Sequence, residues 1–439
     1  MSTTTRQYRH TEIDAAVAAL DCWIDTMRGL RGYSGPLADW WQHGFTVVGA
    51  ALDWRYEGII GGYLALWRRT GDGHWLAKAQ WAGDDLLVGQ NPAGYFAHGA
   101  TSRAPFGIVA PHAAACAAAL LELALALRDA RSTTWQPYAA AAEVTIHGSI
   151  LMDLWDAERG LFRQSPSTTT FIPHEAALIC EMFFRQAELR HLAGPVEEYA
   201  LPTLRAIMRC QVRAAGDRLD GAIPFRVTFT RPPGQYLPLC VARIVPALLQ
   251  AYDWTGDERF FEAAWRGFAF VQRCRNDDGS FPAVLYPAGR TNQYPHWIAA
   301  TGDVLRASTA LAAHGISTDV QATRAWLLAG QDRTGGIVTA RGFGARVQQR
   351  LKPLPDVRDL LHVVGWCDKA FRALAGEASD GIGRRQPARS ERRCLFRGRL
   401  LTLCEDETVV EICRGREVRY RWRKGDDWPT ICAPEFILP

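Results

Sequence analysis

No run of about 18 uncharged apolar residues occurs in the 439-residue chain, which leaves the sequence without an evident membrane span. The stretch from Met1 to Asp14 is polar and lacks the apolar segment of a secretory signal, so a cytoplasmic location is expected. Charge of one sign is lacking too. Fifty basic residues stand against 46 acidic ones for a net +4, and apart from the Arg-rich Arg384–Arg399 they are scattered, which argues against nucleic acid as a partner. Lysine is nearly absent: only Lys78, Lys352, Lys369 and Lys424 occur, a bias that carries no functional weight. The eleven cysteines, from Cys22 to Cys432, form no Cys-x-x-Cys and no Cys/His pair at zinc spacing, so they read as buried free thiols. No Gly-rich phosphate loop or dinucleotide-binding phrase is present either. Neither a metal nor an organic cofactor is expected.

What is present is a composition 48% hydrophobic and 22% charged, that of a globular protein with a large core. Apolar residues recur at helical spacing, and no strand–helix alternation of the parallel-sheet kind appears. The helical candidates form two alternating sets. One comprises Glu12–Arg28, Gly73–Gln90, Trp135–Trp155, Pro195–Ala214, Asp257–Asn276 and Ser317–Gln331. The other comprises Asp53–Arg69, His112–Ala130, His174–Arg190, Tyr236–Asp253, His296–Ala313 and Asp359–Ala375, with starts that repeat at roughly sixty residues. The second set is apolar around its circumference and the first carries charged faces, so the second is expected to form an inner ring and the first an outer one.

Connections leaving the inner set are short, as at Thr70-Gly71-Asp72, Leu192-Ala193-Gly194 and Thr255-Gly256-Asp257. Those entering it (33–52, 91–111, 158–173, 216–235, 277–295 and 332–357) are long, and long loops in a compact domain usually carry function. All six open on one face, at the N-terminal ends of the inner helices, which is the expected active-site end.

The turn-plus-helix phrases beginning Thr70-Gly71-Asp72-Gly73-His74-Trp75 and Thr255-Gly256-Asp257-Glu258-Arg259-Phe260 are similar to ones that recur in the six-hairpin, (α/α)6-toroid carbohydrate-active enzymes. That group contains glycoside hydrolases, polysaccharide lyases and sugar epimerases. The resemblance covers about residues 12–376 and implies an all-α toroid catalytic domain spanning residues 1–376. The loop phrases Asn276-Asp277-Asp278-Gly279-Ser280-Phe281 and Gln331-Asp332-Arg333-Thr334-Gly335-Gly336 also resemble repeats of terpenoid-cyclase toroids, without their acidic motifs. Residues 377–390 read as a linker. Within residues 391–439, Arg393–Cys404, Thr408–Cys413 and Glu417–Arg423 alternate apolar and polar residues, as in a small antiparallel β appendage that packs on the barrel, binds a partner or mediates homo-oligomerisation.

Polar and aromatic residues gather where the inner helices begin: Asp53, Tyr56 and Glu57; His112; His174 and Glu175; Arg226 and Tyr236; Tyr294, His296, Trp297 and Asp303; Asp356, Asp359, His362 and Trp366. Glycoside hydrolysis needs two carboxyl groups, one to protonate the leaving oxygen and one to activate water or attack the sugar. Ring closure makes the first and last inner helices neighbours, which sets Glu57 and Asp53 beside Asp359 as the leading catalytic candidates. Two carboxyl groups in one groove repel, and a crowded Glu57, next to Gly58 and close to Gly61 and Gly62, is expected to have a raised pKa. Structural pairing of these carboxylates with Arg55 and Arg358 stays open. A lyase or epimerase would instead use a His/Tyr acid–base pair, with His174 and His362 as the catalytic candidates. Tyr56, His112, Glu175, Arg226, Tyr236, Tyr294, His296, Trp297, Asp303 and Trp366 are the expected substrate-binding residues, and Trp40 and Trp41 are further stacking candidates near the mouth. The leading expectation is a glycoside hydrolase acting on an oligo- or polysaccharide. A terpenoid-cyclase-type toroid and a non-catalytic binding module also stay open.

Overall fold

The computed structural model describes residues 3–39, 44–48, 50–97, 110–343, 354–379, 382–383 and 385–436. Thirteen α-helices run through them in chain order: α1 (Thr3–Thr26), α2 (Arg55–Thr70), α3 (Gly73–Gly89), α4 (Ala110–Asp129), α5 (Gln136–Thr145), α6 (Pro173–Arg190), α7 (Leu201–Cys210), α8 (Pro238–Thr255), α9 (Glu258–Cys274), α10 (Gly302–Ala313), α11 (Gln321–Ala329), α12 (Val357–Leu360) and α13 (Val364–Glu377). A π-helical stretch, Ile146–Leu154, prolongs α5, and another, Val196–Ala200, leads into α7. Helices α2, α4, α6, α8, α10 and α13 pack each against the next, and α13 closes back on α2. Outside this ring lie α1 against α13, α3 against α2, α5 against α4, α7 against α6, α9 against α8 and α11 against α10.

Local chemistry explains the alternation. In α9 the buried residues Phe260, Ala263, Ala264, Gly267, Phe268 and Val271 make one stripe at helical spacing, leaving the other face to charge, as an outer helix requires. Helix α4 is buried almost all round, from Ala113 to Leu127. Its segment Pro111–Asp129 is long and apolar enough to cross a membrane, but 83% of that window lies inside the protein, where a core helix belongs. The short links behave as the sequence implies. Gly71 (φ 70°) and Gly256 (φ 67°) end α2 and α8 in the left-handed region, donating to the carbonyls of Trp67 and Tyr252. Asp72 and Asp257 then cap α3 and α9 by accepting from the N–H groups of His74 and Arg259.

Ring closure depends on close approach between α2 and α13. A Cβ on Gly58 would lie 2.5 Å from the carbonyl oxygen of Asp368, and one on Gly62 would lie 2.4 Å from the Phe371 ring. Gly58→Ala meets backbone that cannot swing aside and is expected to destabilise the protein by about 1–3 kcal/mol, measured by urea unfolding.

Two inner helices begin later than the sequence suggests. Tyr294, His296 and Trp297 precede the fifth, which starts as a 3₁₀ turn at Ala299–Thr301, while His296–Trp297 pairs as a strand with Ala340–Arg341. The sixth starts at Val364. Asp356 and Asp359 close the single turn of α12 as a capping box, after which Leu361–Val363 is extended and His362 pairs with Val338.

The C-terminal segment forms a five-stranded antiparallel meander, β1 (Ser390–Phe396), β2 (Arg399–Glu405), β3 (Val409–Arg414), β4 (Glu417–Arg423) and β5 (Ile431–Cys432). The stretch Arg393–Cys404, read from sequence as a single strand, contains a hairpin turn. Arg397 and Gly398 both take positive φ, as a tight two-residue turn requires. The sheet packs on the barrel through Glu405. Its carboxylate accepts from Trp23 Nε1 (2.9 Å), lies 2.7 Å from His362 Nδ1 and pairs with Lys424 Nζ (2.8 Å). Glu405→Gln leaves a Lys424 that is almost wholly buried without its counter-charge. It is expected to lower stability by about 3–5 kcal/mol, read from chemical unfolding.

Candidate active site

Side chains on a helix lean toward its N-terminus, so the first turns of the inner helices aim their residues into one mouth. Trp54 stands before α2, His112 in α4, His174 and Glu175 in α6, Cys240 and Arg243 in α8, Trp366 in α13, and Trp297 on the strand leading to α10; all are partly exposed. Rings join along one side. Trp54 meets the edge of His112 at 4.9 Å and lies 6.1 Å from Trp366, which lies 5.0 Å from Trp297, itself 5.8 Å from Phe343. The other side is polar and ionisable: His174 stacks on Phe225 at 5.5 Å, with Glu175 beside it.

Beneath the mouth the six inner helices in turn supply Glu57, Glu122, Glu181, Arg243, Arg306 and Arg372, at intervals of roughly sixty residues, and the third helix adds Arg185. Glu57 is 3% exposed and pairs with Arg243, with Arg372 Nη1 at 2.7 Å and with Arg306 Nη1 at 3.9 Å. Arg372 reaches on to Glu122 (3.0 Å), Arg306 to Glu181, and Arg185 joins Glu122 (3.4 Å) to Glu181 (3.5 Å). Burial alone would raise these carboxyl groups, but the guanidinium groups outweigh it, holding Glu57 well below the ordinary carboxylate range and Glu122 at about 2.

Glu175 is the opposite case. Burial pushes its pKa up to about 8, against the weaker pull of Arg226 and Arg243, and its Oε2 is buried with no hydrogen-bond partner among the described residues. Burial together with Arg243 pushes His174 down to about 3, so the imidazole is neutral. On the far side of α8, Asp303 pairs with Arg243 Nη1 at 3.4 Å. Burial raises the Cys240 thiol, and the charges of both Asp303 and Glu175 add to that rise. The site therefore holds one carboxyl group that keeps its proton at neutral pH and one in an ion pair, the arrangement acid–base chemistry needs.

The expected catalytic residues fare differently. Glu57 is not a raised-pKa acid, because three arginines surround it. Asp53 is held by the guanidinium of Arg55 (2.8 and 3.0 Å) and its backbone N–H, which keep its pKa lowered despite burial. Asp359 accepts from the N–H groups of Gly342, Phe343 and Asp356 at 2.8–3.0 Å. Burial still raises it to about 6, but its contacts fix the turn that carries Phe343. Asp356 pairs with Arg358, the structural alternative left open by the sequence. His362 is 1% exposed beneath Glu405, so it cannot share a pit with His174. That removes the proposed histidine pair. Among the binding candidates, Tyr56 is fully buried against Tyr33, Tyr236 is buried and bridges Leu285, and His296 stacks on Tyr294 and meets Trp326 of the outer helix α11. His112, His174, Glu175, Trp297, Asp303 and Trp366 come together at the mouth, with Arg226 on the adjoining loop. Trp40 and Trp41 lie outside the described residues.

The sequence reading missed Cys240, Lys369 and the charged floor. Lys369 Nζ lies 5.9 Å from the Trp366 ring and 3.2 Å from Asp368, whose pKa burial raises to about 7. The floor did leave a signal, since a charged residue inside an apolar helix recurred with the period of the fold.

No family model and no curated protein matches the chain. Solved structures do. It is similar to the unsaturated glucuronyl hydrolase responsible for the degradation of glycosaminoglycan from Bacillus sp. GL1, at 13% identity and a TM-score of 0.56 over 83% of this chain and 95% of that one. It is also similar to a glycoside hydrolase from family 105 of C. acetobutylicum ATCC 824, at 8% identity and a TM-score of 0.54 over 74% and 93%. A third is the GH76A alpha-1,6-mannanase from Salegentibacter sp. HEL1_6, at 12% identity and a TM-score of 0.53 over 83% and 99%. The chain is an (α/α)6 toroid. At these identities the likeness is one of fold, and the chemistry of this toroid rests on its own residues.

Proposed function

We propose that the protein is a glycoside hydrolase acting on an oligo- or polysaccharide held in the mouth of the barrel. Glu175 is the general acid and Asp303 its carboxylate partner. The observation that carries this reading is the contrast between the two carboxyl groups: one kept protonated at neutral pH by burial, the other ion-paired with Arg243 across the same helix terminus. Glu175 gives its proton to the glycosidic oxygen as the bond to the anomeric carbon breaks. Asp303 attacks that carbon or deprotonates the water that does, and the aromatic wall offers apolar faces to the sugar rings. The reading accords with fold neighbours that are themselves a mannanase, an unsaturated glucuronyl hydrolase and a family 105 glycoside hydrolase.

The test is a glycan panel assayed for new reducing ends with wild type and Glu175→Gln. Reducing ends formed by the first and not by the second support the proposal. Elimination products, or solvent deuterium in a sugar of otherwise unchanged composition, would move the site to lyase or epimerase chemistry. The configuration of the first product, read by NMR, tells whether Asp303 attacks directly or through water.

A further inference from the structure

We propose that Asp359 is a positioning residue for the saccharide: its carboxylate fixes the turn at Gly342 and Phe343, and Phe343 in turn braces the Trp297 ring in the aromatic wall. This rests on the hydrolase reading of the mouth and adds to it a residue that touches no sugar and on which the grip of the sugar depends.

Asp359 is buried at 7% exposure, and its carboxylate is spent on backbone. Oδ1 accepts from the N–H groups of Gly342 and Phe343, each at 2.8 Å, and Oδ2 accepts from that of Asp356 at 3.0 Å. Gly342 has a φ of 96°, a conformation that favours glycine and lets two successive N–H groups converge on one anionic oxygen. Without that oxygen both would be buried donors lacking a partner, at a cost the turn can escape only by moving. Phe343 is itself buried, so it offers no face to a sugar; its ring stands nearly perpendicular (83°) to that of Trp297 at 5.8 Å. Trp297 is partly exposed, lies 5.0 Å from Trp366 and pairs through its backbone with Ala340, so residues 340–343 set both its main chain and its ring. An indole held in one orientation beforehand gives up less rotamer freedom when a sugar stacks on it. The turn that carries Asp359 is in turn anchored from outside the barrel. Leu395 of β1 donates its N–H to the carbonyl of Pro355 at 2.8 Å and pairs with Asp356. A continuous line of contacts thus runs from the C-terminal sheet through Asp359 and Phe343 to the aromatic wall.

The test uses the full chain and, as probe, the shortest saccharide that wild type cleaves in the glycan panel. Asp359→Ala is expected to raise KM about tenfold and to leave kcat within about twofold, because the wall binds the sugar and takes no part in proton transfer. Asp359→Asn keeps an oxygen that accepts from Gly342 and Phe343, and is expected to restore most of the loss. Phe343→Ala leaves the carboxylate in place and is expected to raise KM by a similar factor. Adding Asp359→Ala to it should raise KM little further, since residues that act through each other do not add. Hydrogen exchange, read on the peptide that contains Gly342 and Phe343, should quicken in Asp359→Ala and stay near wild type in Asp359→Asn. Four results would each overturn the proposal and leave the hydrolase reading standing: a fall in kcat at unchanged KM in Asp359→Ala, effects that multiply in the double variant, exchange unaltered by Asp359→Ala, or an unchanged KM in Phe343→Ala. The last of these decides the matter even where Asp359→Ala does not fold. No cleavage of any saccharide by wild type would overturn both.

Discussion

Glu175→Gln is expected to lower kcat about a hundredfold to ten-thousandfold, the range a general acid supplies, while KM changes little because the amide keeps the shape of the side chain. The pH profile gives a sharper readout. Wild-type kcat/KM should fall on the alkaline side with an apparent pKa near 8, where Glu175 loses its proton, and the residual activity of the variant should lack that limb. Stability should move the other way. Because the folded-state pKa is raised from an ordinary 4.5 to about 8, the folded protein holds a proton that the unfolded chain releases between those values. That contribution is complete below about pH 4.5 and is lost as the pH rises through 8. Glutamine carries no such dependence. The Tm of Glu175→Gln should therefore gain on that of wild type as the pH rises from 4.5 to 8, and the gap should stay constant above 8. A variant both inactive and more stable at pH 8 is the signature of a residue kept desolvated for chemistry. Unchanged activity, or a Tm gap that does not vary with pH, would remove Glu175 from its role.

Much of the architecture was legible because it rests on local rules. The Gly71-Asp72 and Gly256-Asp257 links mark a helix end and a helix start whatever surrounds them, and the contrast between apolar α4 and striped α9 tells inner from outer. Ring closure followed from the count of helices, and Gly58, Gly61 and Gly62 carry it in contacts with α13. The site was less legible because its chemistry depends on residues far apart in sequence. Glu175 stood among the binding candidates, but nothing in its own segment announces burial beside Phe225 or the modest pull of Arg226 and Arg243. Asp359 and His362 were misplaced for a related reason. A four-residue helix and three extended residues precede α13, and the partners that explain them, Gly342, Phe343 and Glu405, come from other loops and from the C-terminal sheet. Glu57 does neighbour the last inner helix, but that helix brings it Arg372 and the buried Asp368, not Asp359. Arg243 and Arg306 arrive from across the ring.

Glu57→Gln separates those two readings of the residue most directly. The amide keeps the side chain's shape and removes the charge that Arg243, Arg306 and Arg372 share, leaving guanidinium groups buried without full compensation. The expected loss is about 3–5 kcal/mol of folding stability, measured by chemical unfolding with a matching fall in Tm. Turnover by the folded fraction, assayed well below that Tm, should fall far less than in Glu175→Gln, since Glu57 acts on the site only by holding Arg243 beside Asp303. The network is also sensitive to acid. Carboxyl groups with lowered folded-state pKa values contribute stability above their unfolded values and lose it as the pH falls. For Glu122 that window runs from about 4.5 down to about 2, so wild type should destabilise steeply across it. Removing one arginine as well tests whether uncompensated charge is the cause. Glu57→Gln combined with Arg372→Met restores the balance around Glu57, and Glu122 keeps Arg185 and Arg68 as partners. The double variant is expected to be more stable than the sum of the two single losses by more than about 1 kcal/mol, as residues sharing one network should be. Strict additivity would show that Glu57 and Arg372 do not act through each other. A Glu57→Gln protein as stable as wild type but a thousandfold less active would return the proton donor to the first inner helix.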